Sequence, residues 1–142
     1  MNRSDIRAKA MVVFRRQDQI LVNEVREASG HLTGFRIPGG HVEFGERSID
    51  TAIREIKEEL NTDIQNVTFL SVFENVFTYN GKVGHEIIFV YTAEFAESRF
   101  YESDVIEAFE HSDGQAFNLY WLDPKALPEN KPLFPQGLSE FV

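Results

Sequence analysis

Two long apolar segments separated by Asn80-Gly81 constrain the fold of this chain more than any other feature of its sequence. Residues 66–79 and 83–95 are rich in aromatic and β-branched side chains, and an Asn-Gly pair accommodates the positive φ angles of a type I′ turn. The two segments are therefore predicted to form a β-hairpin. Apolar side chains occupy both alternating faces of 67–77, so we expect a sheet that is covered on both sides. They are Val67, Phe69, Phe73 and Phe77 on one face and Leu70, Val72 and Val76 on the other.

Three further segments have the composition of β-strands. Residues 8–15 and 19–24 are apolar and β-branched, and the polar residues 16–18 between them predict a tight turn that joins two strands. Residues 116–122 follow an Asp-Gly turn signal and are predicted to form the last strand. The tail that follows contains four of the five prolines, so we expect little regular structure there.

One segment between these strands is predicted to be helical. At about 100° per residue, five apolar side chains form a stripe that can pack on a sheet. They are Ile49, Ala52, Ile53, Ile56 and Leu60. Glu55, Glu58 and Glu59 fall together on another side of the helix, whereas Arg54 and Lys57 are assigned to the opposite flank. The pattern predicts three carboxylates that converge away from any cation of the helix.

This acidic cluster has two interpretations. A solvated charged face is the commoner origin of acids on a helix, but such faces usually alternate acids with bases. Like charges three and four residues apart repel each other. Three converging carboxylates suit a hard divalent cation such as Mg²⁺ or Mn²⁺, which prefers oxygen ligands.

The segment before the helix, GFRIPGGHVEFGE at residues 34–46, strengthens the metal interpretation. Gly39-Gly40 predicts a loop whose backbone another group can approach closely, and Glu43 and Glu46 add two more acids. A glycine loop that leads into a carboxylate-bearing helix is suited to a metal-bound phosphate. The competing interpretations are a simple turn and first-turn acids that interact favourably with the helix dipole.

Composition limits the function further. The chain has 142 residues, 42% of them hydrophobic, which is enough for one domain spanning residues 1–142. The absence of cysteine excludes thiol chemistry and zinc-thiolate sites. A net charge of −9 argues against nucleic acid and anionic membranes as partners, and no apolar run is long enough to cross a membrane. We expect a cytoplasmic protein.

The spacing of the acidic residues resembles the Nudix box, the signature of Nudix hydrolases. Gly40 is followed after five residues by Glu46, and after seven more by the run REIKEE at 54–59. The box covers residues 40–62, and the order of strands around it is also similar to the Nudix fold. The resemblance implies an α/β protein, specifically an α/β/α sandwich with a mixed β-sheet.

Two positions of the box depart from the family's usual pattern. A glycine and an apolar residue normally end the box, whereas this chain has Asn61 and Thr62. Asn readily adopts the left-handed conformation that ends a helix, so we expect the helix to stop there. Ile64 is a candidate for the missing apolar anchor.

The resemblance implies hydrolysis of a diphosphate bond in a nucleoside diphosphate linked to another group, with Mg²⁺ or Mn²⁺ as cofactor. Glu55, Glu58 and Glu59 are then the expected metal ligands, and Arg54 orients them through a pair with Glu46. A divalent ion neutralises the diphosphate and lowers the pKa of a bound water. Glu55 or Glu58 is the expected acceptor of that water's proton. Nucleotide sugars, dinucleoside polyphosphates and nucleoside triphosphates all remain open as substrates.

Residues outside the box are less well defined by the sequence. A further acidic ligand or base is expected, and spacing distinguishes none of its candidates from an ordinary surface acid. These candidates are Glu86, Glu102, Asp104, Glu107 and Glu110. Arg36 is a candidate for bidentate contact with a phosphate beside Gly39 and Gly40, the expected substrate-binding loop.

Histidines and aromatic residues give weaker indications. His41 and His85 are interpreted as structural, since a histidine beside an apolar strand is usually hydrogen-bonded within the fold. Several aromatic side chains have the right chemistry to stack on a base, although core packing is the commoner role in a chain with 13 Phe. They are Phe35, Phe77, Tyr79 and Tyr101.

Hydrolysis has two alternatives within the same fold. A nucleotide-binding or regulatory module without catalysis would not need the repelling carboxylates. An isomerase acting on isopentenyl diphosphate resembles a group that depends on a catalytic cysteine, which this chain lacks. The sequence leaves the choice between a monomer and a homodimer open.

Overall fold

The computed structural model describes residues 5–142, so residues 1–4 of the predicted domain lie outside the described part. Strands form two sheets around one α-helix, α1 (Ser48–Leu60). The strands are β1 (Ile6–Val13), β2 (Arg15–Arg16), β3 (Gln19–Arg26), β4 (Leu32–Arg36), β5 (Gly39–His41), β6 (Ile64–Tyr79), β7 (Lys82–Phe95), β8 (Val105–Phe109), β9 (Ala116–Leu122) and β10 (Leu133–Phe134). One sheet has the order β5-β1-β7-β6 and the other the order β10-β4-β3-β9-β8, with β2 paired to β3. Both sheets are mixed, because β1 runs parallel to β7 and β10 parallel to β4.

The predicted hairpin is confirmed as β6 and β7, which pair antiparallel along most of their length. Asn80 and Gly81 form the turn with φ angles of 52° and 76°, as a type I′ turn requires. The expectation that both faces of this hairpin are covered is wrong for β6. Phe69 is 56% exposed and Val76 is 61% exposed, because α1 packs chiefly on β1 and β5, towards the edge of the sheet opposite β6. A register shift between Phe69 and Ser71 also places Phe69 on the same face as Val76, whereas the sequence predicted that it shares a face with Phe73 and Phe77.

The predicted strand pair at 8–15 and 19–24 is only partly correct. The tight turn joins the short β2 to β3, whereas β1 pairs with β5 and β7 in the other sheet. The chain therefore passes from one sheet to the other near Phe14, a fully buried residue whose ring stacks on Phe95. A continuous apolar run cannot show from its composition where it changes sheets.

The helix is predicted well. Ala52, Ile56 and Leu60 are buried against the sheet, although Ile53 at the edge of the stripe is 41% exposed. Asn61 adopts the left-handed conformation (φ 51°, ψ 45°) and donates its N–H to the carbonyl oxygen of Lys57, which ends the helix as expected. None of the helices within residues 5–142 combines the length and apolar character that a membrane span needs.

The region after Asn61 shows how the altered end of the box is accommodated. Ile64 packs against the core cluster beneath α1 and supplies the apolar anchor. Thr62 is buried, and its hydroxyl donates a hydrogen bond to a carboxylate oxygen of Glu97 at 3.0 Å. The hydroxyl is therefore satisfied at a position where an apolar side chain is usual.

Four strands were not predicted, and one of them is the two-residue β10 in the tail, where little regular structure was expected. A loop is predicted at Gly39-Gly40, but these two residues belong to β5, and β4 lies just before them. The long acidic connection from 97 to 112 contains a 3₁₀ turn and β8, which pairs with β9. Trp121 lies in β9 and donates its indole N–H to the carbonyl oxygen of Phe100, so the connection packs on the sheet.

Candidate active site

The predicted site residues meet in a cavity of about 680 Å³ beside the second half of α1. Gly39 and Gly40 line one side, and the carboxylates of Glu55, Glu58 and Glu59 line another. The side chains of Glu55 and Glu58 are 17% and 22% exposed, and Glu59 is buried. The three acids therefore face a shared partly enclosed space rather than bulk solvent.

The two glycines allow the loop to fit between a strand and the helix. A Cβ on Gly40 would overlap the carboxylate of Glu55, and a Cβ on Gly39 would overlap the backbone of Ala10 and Met11 in β1. In the sheet, Gly40 lies opposite Ala10 and Gly39 lies opposite Met11. A larger residue at Gly39 would separate β5 from β1, and one at Gly40 would displace the Glu55 carboxylate, so the glycines determine how closely the carboxylates approach the loop.

Arg54 organises the acids around it. Its Nε and Nη2 donate to the two carboxylate oxygens of Glu46 at 2.8 and 3.0 Å, which is a bidentate pair. Its Nη1 donates to Glu55 at 3.1 Å and to Glu58 at 3.2 Å, and its Nη2 also donates to the backbone carbonyl of His41 at 3.1 Å. One guanidinium thus links the loop to the helix.

The sequence interpretation that the three carboxylates lie away from any helical cation is therefore wrong. Arg54 precedes Glu58 by four residues, a rotation of only about 40° around the helix axis. The long arginine side chain covers this distance and reaches Glu55 as well. The pairing of Arg54 with Glu46 that the resemblance implied is present in the structure.

Both carboxylate oxygens of Glu46 accept hydrogen bonds. In addition to Arg54, it accepts hydrogen bonds from the Thr51 hydroxyl at 2.7 Å and from the backbone N–H of Glu43 at 3.2 Å. These hydrogen bonds, with Arg54 the largest contributor, lower the pKa of Glu46 to about 2. Glu46 raises the pKa of Arg54 in return. The pair is ionised throughout the physiological range.

Glu59 has the opposite surroundings. Within residues 5–142, its buried Oε1 has no hydrogen-bond partner. Burial, and next the charges of Glu55 and Glu110, raise the pKa of Glu59 to about 8. Burial also raises the pKa of Glu55, although Arg54 opposes this shift. Glu59 therefore lacks the neutralising partner that Arg54 provides to Glu46 and Glu55.

Comparison with known proteins identifies the family. The model of the NUDIX domain matches residues 5–141, nearly the whole chain. This chain belongs to the Nudix hydrolase family. A pig bis(5'-nucleosyl)-tetraphosphatase (asymmetrical) is 28% identical over 124 residues, which cover 83% of this chain and 80% of that protein. The rat protein of the same name is 26% identical with the same coverage.

Solved structures support the fold. The crystal structure of a MutT NUDIX hydrolase from Burkholderia pseudomallei is 25% identical, covers 93% of this chain and 92% of its own, and has a TM-score of 0.66. The solution structure of the E. coli ORF135 protein has a TM-score of 0.62 at 20% identity, with 92% and 82% covered. The predicted Nudix-type α/β/α fold with mixed sheets is confirmed by these similarities.

Nudix hydrolases generally use divalent metal ions, and the residues of this cavity fit such an ion. Residues 5–142 contain no group of three His, Asp or Glu side chains already arranged around a metal position, and Arg54 holds Glu55 and Glu58. The available donors are nevertheless carboxylate oxygens, which Mg²⁺ and Mn²⁺ prefer. The unpartnered oxygen of Glu59 is the strongest indication, because a buried carboxylate without a partner is unfavourable until a cation satisfies it.

The structure separates the five acids that the sequence left equivalent. Glu110 lines the carboxylate cavity and raises the pKa values of Glu55 and Glu59. Asp104 instead pairs with Arg16 at 2.8 Å on the surface, and Glu102 and Glu107 are exposed. Glu86 lies deeper in the fold and pairs with Lys9 at 3.2 Å. Glu110 is therefore the acid outside the box that accompanies the cluster.

A basic wall faces the carboxylates across the cavity, and the sequence interpretation identified only one of its members. Arg7 and Lys9 alternate along β1 and line the cavity together with Arg36. Arg36 donates its Nε to the side-chain carbonyl of Asn23 at 3.3 Å. The alternation of cations at positions 7 and 9 was visible in the sequence, but only the sheet order shows that they face the box.

The two histidines differ. The Nε2 of His85 is hydrogen-bonded to a carboxylate oxygen of Glu74 at 2.9 Å on the surface of the hairpin, consistent with a structural role. His41 lines the cavity, and its Nδ1 is buried without a hydrogen-bond partner among the described residues. Burial, and next the neighbouring charges of Lys9 and Arg7, lower the pKa of His41 to about 4. His41 is therefore neutral at physiological pH.

Proposed function

We propose that this Nudix protein is a metal-dependent hydrolase that cleaves the diphosphate linkage of a nucleoside diphosphate joined to another group. The observation that carries the proposal is the unequal carboxylate cluster beside Gly39 and Gly40. Glu46 is neutralised by Arg54, whereas Glu59 presents an unpartnered buried oxygen to the cavity. A divalent cation, Mg²⁺ or Mn²⁺, supplies the positive charge that this end of the cluster lacks.

Arg54 and the three helix carboxylates each have a chemical role in this proposal. Glu55, Glu58 and Glu59 would hold the metal, and the ion would supply positive charge to the diphosphate and acidify a water. Glu58 or Glu55 accepts a proton from the attacking water. Arg54 holds both acids in place through its anchor on Glu46.

The basic wall and the glycine loop bind the substrate in this proposal. Arg36 contacts a phosphate oxygen, for which a planar guanidinium is well shaped. Gly39 and Gly40 allow a phosphate to approach the backbone closely. Glu110 contributes the additional acid from outside the box.

The substrate class rests on the relatives. The pig and rat proteins are named as asymmetrical bis(5'-nucleosyl)-tetraphosphatases. We therefore place dinucleoside polyphosphates first, ahead of nucleotide sugars and nucleoside triphosphates. A small nucleotide in the cytoplasm is the proposed partner, and a homodimer is kept beside a monomer as the assembly to be measured.

A substrate screen tests the proposal. Diadenosine tetraphosphate, ADP-ribose, UDP-glucose and dGTP are incubated with the protein and Mg²⁺ or Mn²⁺, and phosphate-containing products are separated by ion-exchange chromatography. We expect cleavage of at least one substrate that ends when EDTA is added and that Glu58→Gln abolishes. Asp50→Asn is the matched control, because Asp50 is an exposed acid of the same helix that does not line the cavity.

Two outcomes would decide against hydrolysis. Tight nucleotide binding without any cleavage would favour the regulatory module of the same fold. Cleavage that continues in EDTA or in Glu58→Gln would show that the carboxylate cluster is not the catalytic centre.

A further inference from the structure

The hairpin of β6 and β7 carries exposed apolar side chains on one face of the four-stranded sheet. Residues that pair across neighbouring strands point to the same side of a sheet, so the register defines this face. Ile6 in β1 pairs with His85 in β7, and His85 pairs with Val76 in β6. Val83 lies two residues before His85 and shares its side. The face therefore extends across three strands.

Two further exposed side chains of β6 belong to the same face. Val72 pairs with Phe89 and Phe69 pairs with Tyr91, and both partners lie an even number of residues from His85 in β7. The rings of Phe69 and Tyr91 also meet edge to face, with their centres 5.8 Å apart. We call the five exposed residues the hairpin face. They are Ile6, Phe69, Val72, Val76 and Val83.

The helix covers only the other half of this side of the sheet. Ala10 and Val12 follow Ile6 in β1 on the same side, and both are fully buried in the cluster that contains Ile56 of α1. α1 packs chiefly on β1 and β5, the two strands furthest from β6. In the described part of the chain, the residues of the hairpin face remain between 44% and 67% exposed.

The exposed apolar area is sufficient for the centre of a stable protein interface. At these fractions each of the five side chains exposes on the order of 100 Å², so the face presents roughly 500 Å². A standard interface buries about 800 Å² of each partner, with a polar rim around an apolar centre. The hairpin face therefore provides the apolar centre of an interface of standard size.

The charges of this face favour a second copy of the chain over a foreign partner. The chain has a net charge of −9, so two copies repel each other wherever acids face acids. Glu74 is the only acid among the described residues of the face, and its carboxylate is already bonded to His85 at 2.9 Å. A basic protein attracted by the acidic surface would gain little here. A symmetric interface instead needs a surface that is compatible with itself, and an apolar face fulfils this condition.

The outer edge of β6 supports the same conclusion. β6 is an edge strand, and such strands are commonly protected from pairing with another chain by charges, proline or bulges. The register shifts of β6 lie between residues 65 and 71. Residues 72–79, VFENVFTY, pair regularly with β7 and carry Glu74 as their only charge. This half of the edge lacks the usual protection, as expected for a strand that an assembly covers.

We propose that this chain forms a symmetric homodimer in which the hairpin faces of two copies pack against each other. Burial of the apolar side chains drives the association. Arg7 and Lys9 line the carboxylate cavity and alternate with Ile6 along β1, so they lie on the opposite side of the sheet. The dimer therefore leaves that cavity accessible, and the proposal does not depend on the proposed function.

Analytical ultracentrifugation of the wild-type protein and its variants tests the proposal. At micromolar concentrations, the wild-type protein should have twice the 16.3 kDa mass of one chain. Val76→Glu places an acid on the hairpin face of both copies, and it should raise the Kd of the dimer about a hundredfold or more through repulsion and desolvation. Circular dichroism shows whether each variant is folded.

Val105→Glu is the matched control. Val105 is 48% exposed in β8, at the edge of the other sheet, so the variant adds the same charge outside the hairpin face. Its Kd should stay within about threefold of the wild type. Val76→Thr keeps the shape of valine and suits a strand. It should raise the Kd about tenfold, because a hydroxyl of each copy is buried, and it decides the outcome if Val76→Glu does not fold.

Three results would overturn the proposal. The first is a wild-type protein with the mass of one chain at all these concentrations, which would leave the hairpin face to a different protein. The second is a dimer whose Kd does not change in Val76→Glu and Val76→Thr. The third is a dimer that Val105→Glu weakens as strongly as Val76→Glu does.

Discussion

Glu46 and Glu59 lie at opposite ends of one carboxylate cluster, and they differ in their hydrogen-bond donors, their burial and their pKa values. Glu46 accepts hydrogen bonds from a guanidinium, a hydroxyl and a backbone N–H, and its pKa is lowered to about 2. Glu59 is buried with an unpartnered oxygen, and its pKa is raised to about 8. Although both acids belong to the same sequence signature, only Glu46 is already neutralised by the protein itself.

The difference assigns two physical roles within the box. The end around Glu46 and Arg54 stabilises the junction of loop and helix, so we expect it to contribute free energy of folding. The end around Glu59 is electrostatically unfavourable without a cation, so we expect it to contribute to ligand binding at the expense of stability. Substitutions at the two ends should therefore have opposite effects on stability.

The largest expected effect is the loss of activity in Glu59→Gln. Removing this carboxylate should reduce hydrolysis about a hundredfold or more, the range associated with loss of an essential charged group. The free energy of unfolding without metal should not fall, since an amide cannot carry the charge whose burial raises the pKa of Glu59 to about 8. Activity assays and urea unfolding in EDTA measure the two quantities.

Metal addition provides the control for Glu59→Gln. In the wild-type protein, Mg²⁺ at a hundredfold excess over its Kd should raise the free energy of unfolding by about 2.7 kcal/mol. The variant should show much less of this stabilisation. A variant that is less stable than wild type in EDTA, yet fully stabilised by Mg²⁺, would contradict the division of roles.

The second effect is the loss of stability in Arg54→Ala. The substitution leaves Glu46 without its main partner and removes the only guanidinium that contacts both Glu55 and Glu58 in the described structure. Breaking a largely buried ion pair typically costs a few kcal/mol, and we expect about 3 kcal/mol here from urea unfolding at pH 7.

Lys57→Ala is the matched control for Arg54→Ala. Lys57 lies on the same helix, but its pair with Asp63 is exposed, with side chains 53% and 79% accessible. The expected change is within about 0.5 kcal/mol. Similar losses in the two variants would show that Arg54 has no special role at the junction.

The third effect is a pH dependence of the stability that the Glu46 carboxylate contributes. The folded pKa of Glu46, about 2, lies below its ordinary value of 4.5, so the stabilisation is present above pH 4.5 and is lost as the pH falls towards 2. Glu46→Gln should therefore be less stable than wild type by about 2 kcal/mol at pH 7. The difference should shrink as the pH is lowered from 4.5, measured by urea unfolding at a series of pH values. A constant difference across this range would show that the carboxylate charge of Glu46 is unimportant.

The parts of the site that were predictable from the sequence depend on local rules. The helix, its end at Asn61 and the Asn80-Gly81 turn follow from spacing and from the φ angles that those residues tolerate. The glycine loop and the helix carboxylates are close in the chain, so their meeting in space needs no knowledge of the sheets.

The parts that failed depend on packing between distant segments. The exposure of β6 follows from the position of α1 on β1 and β5, and no periodicity within β6 records it. The position of Arg54 depends on the conformation of a long side chain, which helix angles do not specify. Lys9 enters the carboxylate cavity because of the strand order, which places β1 beside β5.

Glu110 is the clearest example of a site residue whose position depends on packing between distant segments. Its substitution is expected to have the smallest effect on activity. The turn between β8 and β9 carries it into the cavity, where its charge acts on Glu55 and Glu59. If it assists the cluster, Glu110→Gln should reduce kcat about tenfold, a contribution well below that of a direct metal ligand.

Glu107→Gln provides the comparison for Glu110→Gln, because Glu107 lies three residues earlier in β8 and is exposed. Its kcat should stay within twofold of the wild type. Glu110 repels the other acids, so its removal should also leave stability in EDTA unchanged or higher. If Glu110→Gln retains full activity and only stability rises, the residue is merely a neighbouring charge, and the end of the cluster around Glu59 depends on the box acids alone.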